Sequence, residues 1–129
     1  MSMESRIVYF EKPGAHNTEE VFQIVKKRAE ELGVKTILVA STSGETAAKA
    51  AQALSGLRVV AVGFATGMRE ANAQPFKPEH KQTVESHGGI VLNSTHALAG
   101  LSASVRNKYN TPGFADTIAD TLRTFGHGM

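Results

Sequence analysis

Residues 36–51, with the sequence "TILVASTSGETAAKAA", decide the fold class of this chain. The run begins with β-branched and apolar residues, which are typical of a buried strand, and it ends in alanines, which favour a helix. Small hydroxylated residues and one glycine, at 41–44, form the turn between the two. A strand that passes through a short polar turn into a helix predicts an α/β protein with a parallel sheet.

The same turn is a candidate binding site for an anion. A helix begins with unpaired backbone N–H groups and a partial positive charge, which together favour a phosphate. Gly44 would let such a group come close to the backbone. The alternative is that Ser43 only caps the helix, as serines commonly do. The candidate phosphate-binding residues are Ser41, Thr42, Ser43, Gly44, Glu45 and Thr46.

This turn differs from the phosphate-binding loops of nucleoside triphosphatases. The GxxxxGK[ST] spacing is absent, and no lysine lies inside the turn. A monophosphate is therefore favoured over a triphosphate with magnesium. Glu45 favours the helix start but would repel a phosphate if its carboxylate pointed inward.

Strand and helix patterns alternate on both sides of the central unit. Such alternation predicts right-handed crossovers and a mostly parallel sheet. No repeat or linker interrupts it, so we expect one three-layer α/β/α domain over residues 1–129. The predicted strands are 6–10, 34–40, 57–64 and 89–93, and the predicted helices are 18–32, 44–54, 78–88, 94–109 and 114–126.

Composition argues against several classes of function. The net charge is +2 and the basic residues are dispersed, whereas nucleic-acid binding would need a basic and aromatic stripe. No apolar run approaches the ~20 residues of a membrane span. The chain has no cysteine and no apolar signal region at 1–6. We therefore expect a cytoplasmic protein without nucleic-acid or membrane partners.

Three further polar loops follow predicted strands, at 11–17, 64–70 and 93–96. Ligands of parallel sheets bind beyond the carboxyl ends of the strands, so these loops should meet the turn at 41–46 at one edge. Each loop also has an ordinary structural reading as a solvated turn or a helix cap. Phe64 and Met68 could supply an apolar wall. The further candidates are Glu11, Lys12, Asn17, Gly67, Arg69, Thr95 and His96.

Neither a metal site nor a catalytic centre emerges from the sequence. His80 and His87 lie on one predicted surface helix, without an acidic third ligand at suitable spacing, and His127 lies near the end of the chain. Serine, histidine and acidic residues are too scattered to form a recognisable nucleophile and base. We predict no metal and assign no catalytic residue.

Four segments resemble a known family. They are "IVYFEKPGAHNTEE" at 7–20, "AEELGVKTILVASTSGETAAKAA" at 29–51, "TGMRE" at 66–70 and "THALAG" at 95–100. They are similar to small archaeal and bacterial proteins described as pyruvate kinase C-terminal (α/β) domain-like. The resemblance implies the fold of the regulatory domain of pyruvate kinase, which binds a sugar bisphosphate at a similar turn.

The resemblance also implies a ligand. Some relatives are associated with flavin mononucleotide (FMN), so we expect FMN with its phosphate at 41–46 and with Gly67, Thr95 and His96 nearby. The alternative is a regulatory or sensor domain for a sugar phosphate, without catalysis. A third possibility is an enzyme that uses Glu11, Lys12 and His96 around a bound phosphate. Kinase activity is not implied, because that chemistry belongs to a barrel domain absent here.

Two departures from the family pattern affect these expectations. Relatives often have "HHTGF" where this chain has "FATGM" at 64–68, which removes any role of those histidines. The chain also resembles the first two-thirds of its relatives. Apolar surface left uncovered by a missing part would favour self-association, so we expect a homo-oligomer.

Overall fold

The computed structural model describes residues 4–68, 70–95 and 100–125. Helices and strands alternate through the middle of the chain, as the sequence predicts. The helices are α1 (Thr18–Leu32, after a 3-10 turn at Ala15–Asn17), α2 (Glu45–Ala53), α3 (Pro78–Ser86), α4 (Gly100–Tyr109) and α5 (Phe114–Arg123). The strands are β1 (Thr36–Ala40), β2 (Arg58–Phe64) and β3 (Ile90–Ser94).

The three strands form one parallel sheet in the order β1-β2-β3. Helices α2 and α3 are the crossovers between neighbouring strands, and right-handed crossovers in a sheet of this order lie on the same side. The core clusters agree, because residues of α1, α2 and α3 pack against side chains on the same face of the sheet. Helices α4 and α5 lie on the other side, which completes a three-layer α/β/α domain.

One face of the sheet is the centre of the core. Val59 and Ala61 of β2 are 2% and 0% exposed. Val59 packs against Phe22 of α1 and Leu54 of α2, and Ala61 packs against alanines of α2. The small alanine side chains allow α2 to lie close to the sheet, which explains the alanine-rich sequence after the turn.

The opposite face of the sheet is largely uncovered. Leu38, Val60 and Ile90 stand side by side on this face, since Leu38 is in register with Val60 and Val60 with Ile90. Leu38 is 72% exposed and Leu92, further along the face, is 50% exposed. Helices α4 and α5 are separated from this face by a cavity.

The strand predicted at 6–10 is wrong. These residues are irregular in the structure, and Ile7 and Tyr9 are exposed. Arg6 and Val8 line a shallow depression together with Ile24 and other residues of α1. The β-branched sequence favours a strand, but a strand also needs hydrogen bonds to a neighbour, and β1 has no second neighbour among the described residues.

The helix predicted at 94–109 begins later than expected. Ser94 is the last residue of β3, Thr95 follows in a loop, and α4 starts at Gly100. The predicted starts at Ser94 and Thr95 are therefore not helical, and His96 lies outside the described residues. Pairing of β3 with β2 extends to Ser94, opposite Phe64, which explains why the helix cannot begin there.

Candidate ligand-binding site

A cavity of about 640 Å³ opens at the carboxyl ends of the three strands. This volume lies within the range of small-molecule sites, about 300–1,000 Å³. The strands contribute the floor, and α4 and α5 contribute the roof. The lining residues are Ala40, Ser41, Thr42, Val62, Gly63, Phe64, Met68, Leu92, Ser94, Thr95, Arg106, Pro112, Asp116, Ala119, Asp120 and Arg123.

The turn after β1 extends the sheet and then leaves backbone donors unpaired. The backbone N–H of Ser41 donates to the carbonyl of Val62 at 2.9 Å, and Ser41 is buried. Among the described residues, no hydrogen-bond acceptor is found for the N–H groups of Thr42, Ser43, Gly44, Thr46 and Ala47. The start of α2 thus retains the donors that a bound anion would use.

The alternative reading of this turn as a serine cap receives little support. Gly44 occupies the N-cap position of α2, and no side chain caps the helix there. The hydroxyl of Ser43 accepts a hydrogen bond from the N–H of Glu45 at 3.4 Å. That distance is long for an N–H···O bond, so the hydroxyl closes the helix end weakly.

Gly44 has a structural role that the sequence did not reveal. Its φ is +89°, in the left-handed region. A Cβ atom at this position would lie 2.5 Å from Cε1 of Phe76 and 2.7 Å from Cβ of His80. Nearby, the N–H of Lys77 donates to the carbonyl of Ser43 at 3.0 Å. This flank of Gly44 is filled by protein atoms, so a ligand would have to approach the turn from the cavity.

Glu45 points away from the cavity. Its carboxylate pairs with Nζ of Lys49 at 2.8 Å, one turn along α2, and its side chain is 61% exposed. The hydrogen bond and the charge of Lys49 lower the pKa of Glu45. The repulsion expected from an inward carboxylate therefore does not arise.

Two arginines with carboxylate partners form the charged part of the roof. Asp116 accepts a hydrogen bond from the N–H of Gly113 at 2.8 Å and also pairs with the guanidinium of Arg106. The N–H of Gly113, together with the charge of Arg106, lowers the pKa of Asp116. Arg123 pairs with Asp120 at 2.6 Å, three residues earlier on α5. Each positive charge in the roof is thus offset by a negative one.

The comparison with protein families fits this architecture. The model of the family described as "Pyruvate kinase, alpha/beta domain" matches residues 19–124. The chain belongs to this family. The match confirms the resemblance seen in the sequence and the α/β fold class. It also includes every residue of the cavity, from Ala40 to Arg123, so strands, turn and roof all lie within the pyruvate kinase α/β domain.

Several of the predicted site residues meet at the cavity. Ser41, Thr42 and Thr95 line it, although they come from the ends of two different strands. Phe64 and Met68 line it as well, in the predicted place of an apolar wall. The carboxyl edge of the sheet therefore brings together residues that are up to 54 positions apart.

Other predicted residues lie away from the cavity lining. Ser43, Gly44, Glu45 and Thr46 are not among the lining residues, nor is Gly67. In the first loop, the side chain of Asn17 donates to the carbonyl of Lys12 at 2.7 Å and does not cap α1. Neither residue lines the cavity, and the same is true of Glu11. Arg69 and His96 lie outside the described residues.

The roof residues Arg106, Asp116, Asp120 and Arg123 were missed from the sequence. A signal exists for α5, since Asp116, Ala119, Asp120 and Arg123 have the spacing of one helix face. The pairing of Arg106 with Asp116 joins two helices and has no local signature. Only the packing of α4 beside α5 makes it.

Residues 4–68, 70–95 and 100–125 carry neither a cluster of metal ligands nor a membrane-spanning helix. This part of the chain contains no group of three or more histidine, aspartate or glutamate side chains that could hold a metal ion. It also contains no helix long and apolar enough to cross a membrane.

Proposed function

We propose that this protein binds a phosphorylated small molecule in the cavity at the carboxyl edge of the sheet. The observation that carries the proposal is the set of unpaired backbone N–H groups at 42–44, 46 and 47, which begins at Thr42 in the lining of a cavity of about 640 Å³. Backbone donors at a helix start suit an anion, and the helix dipole adds to their attraction. Thr42 is exposed and lines the cavity, so we expect this turn to contact the ligand there.

FMN is the ligand we favour. Phe64, Met68, Leu92 and Pro112 give the cavity apolar walls suited to a flat aromatic ring. The hydroxyls of Ser94 and Thr95 suit a polyol chain, and the turn at 41–46 suits the terminal phosphate. FMN supplies redox chemistry when it is bound, and the proposal assigns binding alone to this chain.

The second candidate is a sugar phosphate or another phosphorylated metabolite, bound by a sensor domain without catalysis. The charged roof favours it, because Arg106, Asp116, Asp120 and Arg123 offer both donors and acceptors. A hydroxyl-rich ligand can use both kinds of group, whereas a flat ring uses few of them. A chain without cysteine and a phosphorylated ligand are both compatible with the cytoplasmic location that we also propose.

Titration with FMN and riboflavin tests the phosphate contact directly, since the two flavins differ by the phosphate. We expect FMN to bind at least about tenfold more tightly, which corresponds to about 1.4 kcal/mol. Flavin fluorescence and calorimetry would measure both affinities. Equal affinities would show that the phosphate does not contribute to binding, and the phosphate site proposed at 41–46 would then be wrong.

A negative charge introduced at the turn tests whether the phosphate of the ligand binds there. Thr42→Asp places a carboxylate beside the unpaired N–H groups and should weaken FMN binding at least about tenfold. Thr36→Asp makes the same chemical change at the exposed amino end of β1 and should leave binding unchanged. Equal losses in the two variants would place the phosphate elsewhere.

A thermal-shift panel separates the two candidate ligands. A ligand present at 100 times its dissociation constant adds about 2.7 kcal/mol to the free energy of unfolding. Stabilisation by sugar phosphates but not by FMN would favour a sensor domain for sugar phosphates over an FMN-binding protein. No stabilisation by any phosphorylated compound of the panel would count against the proposal as a whole.

A further inference from the structure

The apolar wall of the cavity, formed by Phe64 and Met68, has space on two sides. Both side chains line the cavity, and both also line a second depression of about 270 Å³. No other described residue lines both spaces, so this wall lies between them. Phe64 is half-buried and Met68 is 39% exposed. Core packing alone therefore does not hold the wall, and its position depends on the connection at 65–77 between β2 and α3.

The side-chain amide of Gln74 ties this connection to the end of β2. Its Nε2 donates to the carbonyl of Phe64 at 3.0 Å and to the hydroxyl of Thr66 at 3.2 Å. The connection is also closed by the N–H of Gly67, which donates to the carbonyl of Ala73 at 2.9 Å. Gln74 thus holds the backbone at the residue where the apolar wall begins.

The oxygen of the same amide holds the segment that packs against the turn at 41–46. Oε1 of Gln74 accepts a hydrogen bond from the N–H of Phe76 at 3.0 Å. Phe76 is 5% exposed, and its ring fills the space beside Gly44. The next residue, Lys77, donates its N–H to the carbonyl of Ser43 at 3.0 Å. Gln74 is therefore linked to the turn through Phe76 and Lys77.

We propose that Gln74 is a positioning residue of the binding site, which holds the apolar wall and the turn at 41–46 in a fixed relation to each other. The inference rests on the proposed function, because it assigns the ring of the ligand to the wall and its phosphate to the turn. Gln74 lines the smaller depression and not the cavity, so it acts through Phe64 and Phe76 without contact with the ligand. A site whose parts are held in place before binding has less to order when the ligand arrives.

Glutamine is suited to this role because one planar group carries both donors and an acceptor. The donors of Gln74 reach the wall and its acceptor reaches the segment beside the turn. The side chain is half-buried, so its hydrogen bonds are partly shielded from water. Variants that remove one kind of group or both can therefore separate the two links.

Binding of FMN and riboflavin to two variants tests the role of Gln74. Gln74→Met removes the donors and the acceptor at similar length, so both links are lost. We expect weaker binding of both flavins and a preference for FMN over riboflavin that falls at least about threefold, because the phosphate turn is no longer held. Gln74→Glu keeps the acceptor for Phe76 and loses the donors for Phe64. It should weaken both flavins by the same factor and leave the preference unchanged.

Amide hydrogen exchange at Lys77 tests the link to the turn without any ligand. The N–H of Lys77 is protected by its bond to Ser43. In Gln74→Met this amide should exchange at least about tenfold faster, and in Gln74→Glu its rate should be unchanged. Nuclear magnetic resonance of the full chain measures the rate residue by residue.

Gln82→Met is the matched control, since it makes the same chemical change at an exposed position of α3 and should alter neither measurement. Circular dichroism and thermal unfolding verify that each variant is folded. A loss of stability alone would lower the unfolding temperature and leave the FMN preference as it was. An unchanged exchange rate at Lys77 in Gln74→Met would overturn the inference whether or not a flavin binds. So would an unchanged preference in a chain that binds FMN, whereas an unmodified chain that binds no phosphorylated compound would count against the proposed function.

Discussion

Val59 and Leu38 lie on neighbouring strands of one sheet, yet Val59 is 2% exposed and Leu38 is 72% exposed. Both are apolar residues of the kind that strands favour. They differ in which face of the sheet they occupy. Val59 faces α1 and α2, whereas Leu38 faces the side where α4 and α5 leave a gap.

The two faces of the sheet have different roles in the molecule. The packed face holds the strands in place through closely fitted alanines, Phe76 and Leu54. The open face carries the cavity at its carboxyl end and the exposed side chain of Leu38 beyond it. A binding site needs surface that the fold has not used, so the two faces should respond differently to mutation.

The largest contrast is expected between two leucines. Leu54→Ala removes a side chain that is 1% exposed in the packed core, and should cost about 2–5 kcal/mol. Leu38→Ala removes one that is 72% exposed and should cost about 0.5 kcal/mol or less. Urea unfolding of the two variants measures both free energies. Equal costs would mean that the open face is covered within the chain.

A pair of glycines separates backbone strain from packing. Gly44 and Gly56 have nearly the same φ, +89° and +88°. Gly56→Ala meets no atom within 4 Å and should cost about 1 kcal/mol, from the left-handed backbone alone. Gly44→Ala meets Phe76 and His80, which adds about 1–3 kcal/mol. Thermal unfolding of the two variants gives the difference, and equal values would contradict the fit of Phe76 against the turn.

A smaller effect that depends on pH is expected at Asp116, on the roof of the cavity. The folded state lowers the pKa of this carboxyl below its usual value of 3.8, so the carboxylate stabilises the fold at neutral pH. That contribution is lost as the pH falls below 3.8 and toward the lowered pKa. Asp116→Asn should therefore unfold at a lower temperature than the unmodified chain at pH 7, and the difference should shrink in acid. A difference independent of pH would argue against the ion pair with Arg106.

The smallest effect is expected at Glu45, which belongs to neither face. Its exposed pair with Lys49 contributes little, because solvent screens it. Glu45→Gln should leave the unfolding temperature and the FMN affinity nearly unchanged. A clear gain in FMN affinity, measured by titration, would show that the carboxylate faces the bound phosphate after all.

The sequence was a good guide to the elements in the middle of the chain. The strands predicted at 34–40, 57–64 and 89–93 lie within two residues of those observed, because apolar runs between polar turns leave few alternatives. It was a poor guide at 6–10, where the same apolar pattern is present but no strand forms. Local sequence preference determines whether a segment can form a strand. A neighbouring strand that makes hydrogen bonds with it determines whether the strand forms.

The candidate site was predictable in part for the same reason. The rule that parallel strands end at one edge brings Ser41, Thr42 and Thr95 together without any knowledge of distances. The role of Gly44 was not predictable, because it depends on Phe76, a residue 32 positions later that packs against it. The roof was not predictable either, since nothing local indicates that α5 turns its charged side inward.

The sequence by itself determined the α/β class, the order of strands and helices from α1 onward and the edge at which a ligand would bind, because these follow from local periodicity and from chain connectivity. The tertiary structure decided which face of the sheet is packed, what surrounds Gly44 and which side of α5 meets the cavity. Those features depend on contacts between residues far apart in the chain. Such contacts are fixed by the packing of whole elements and leave no periodic trace in the sequence.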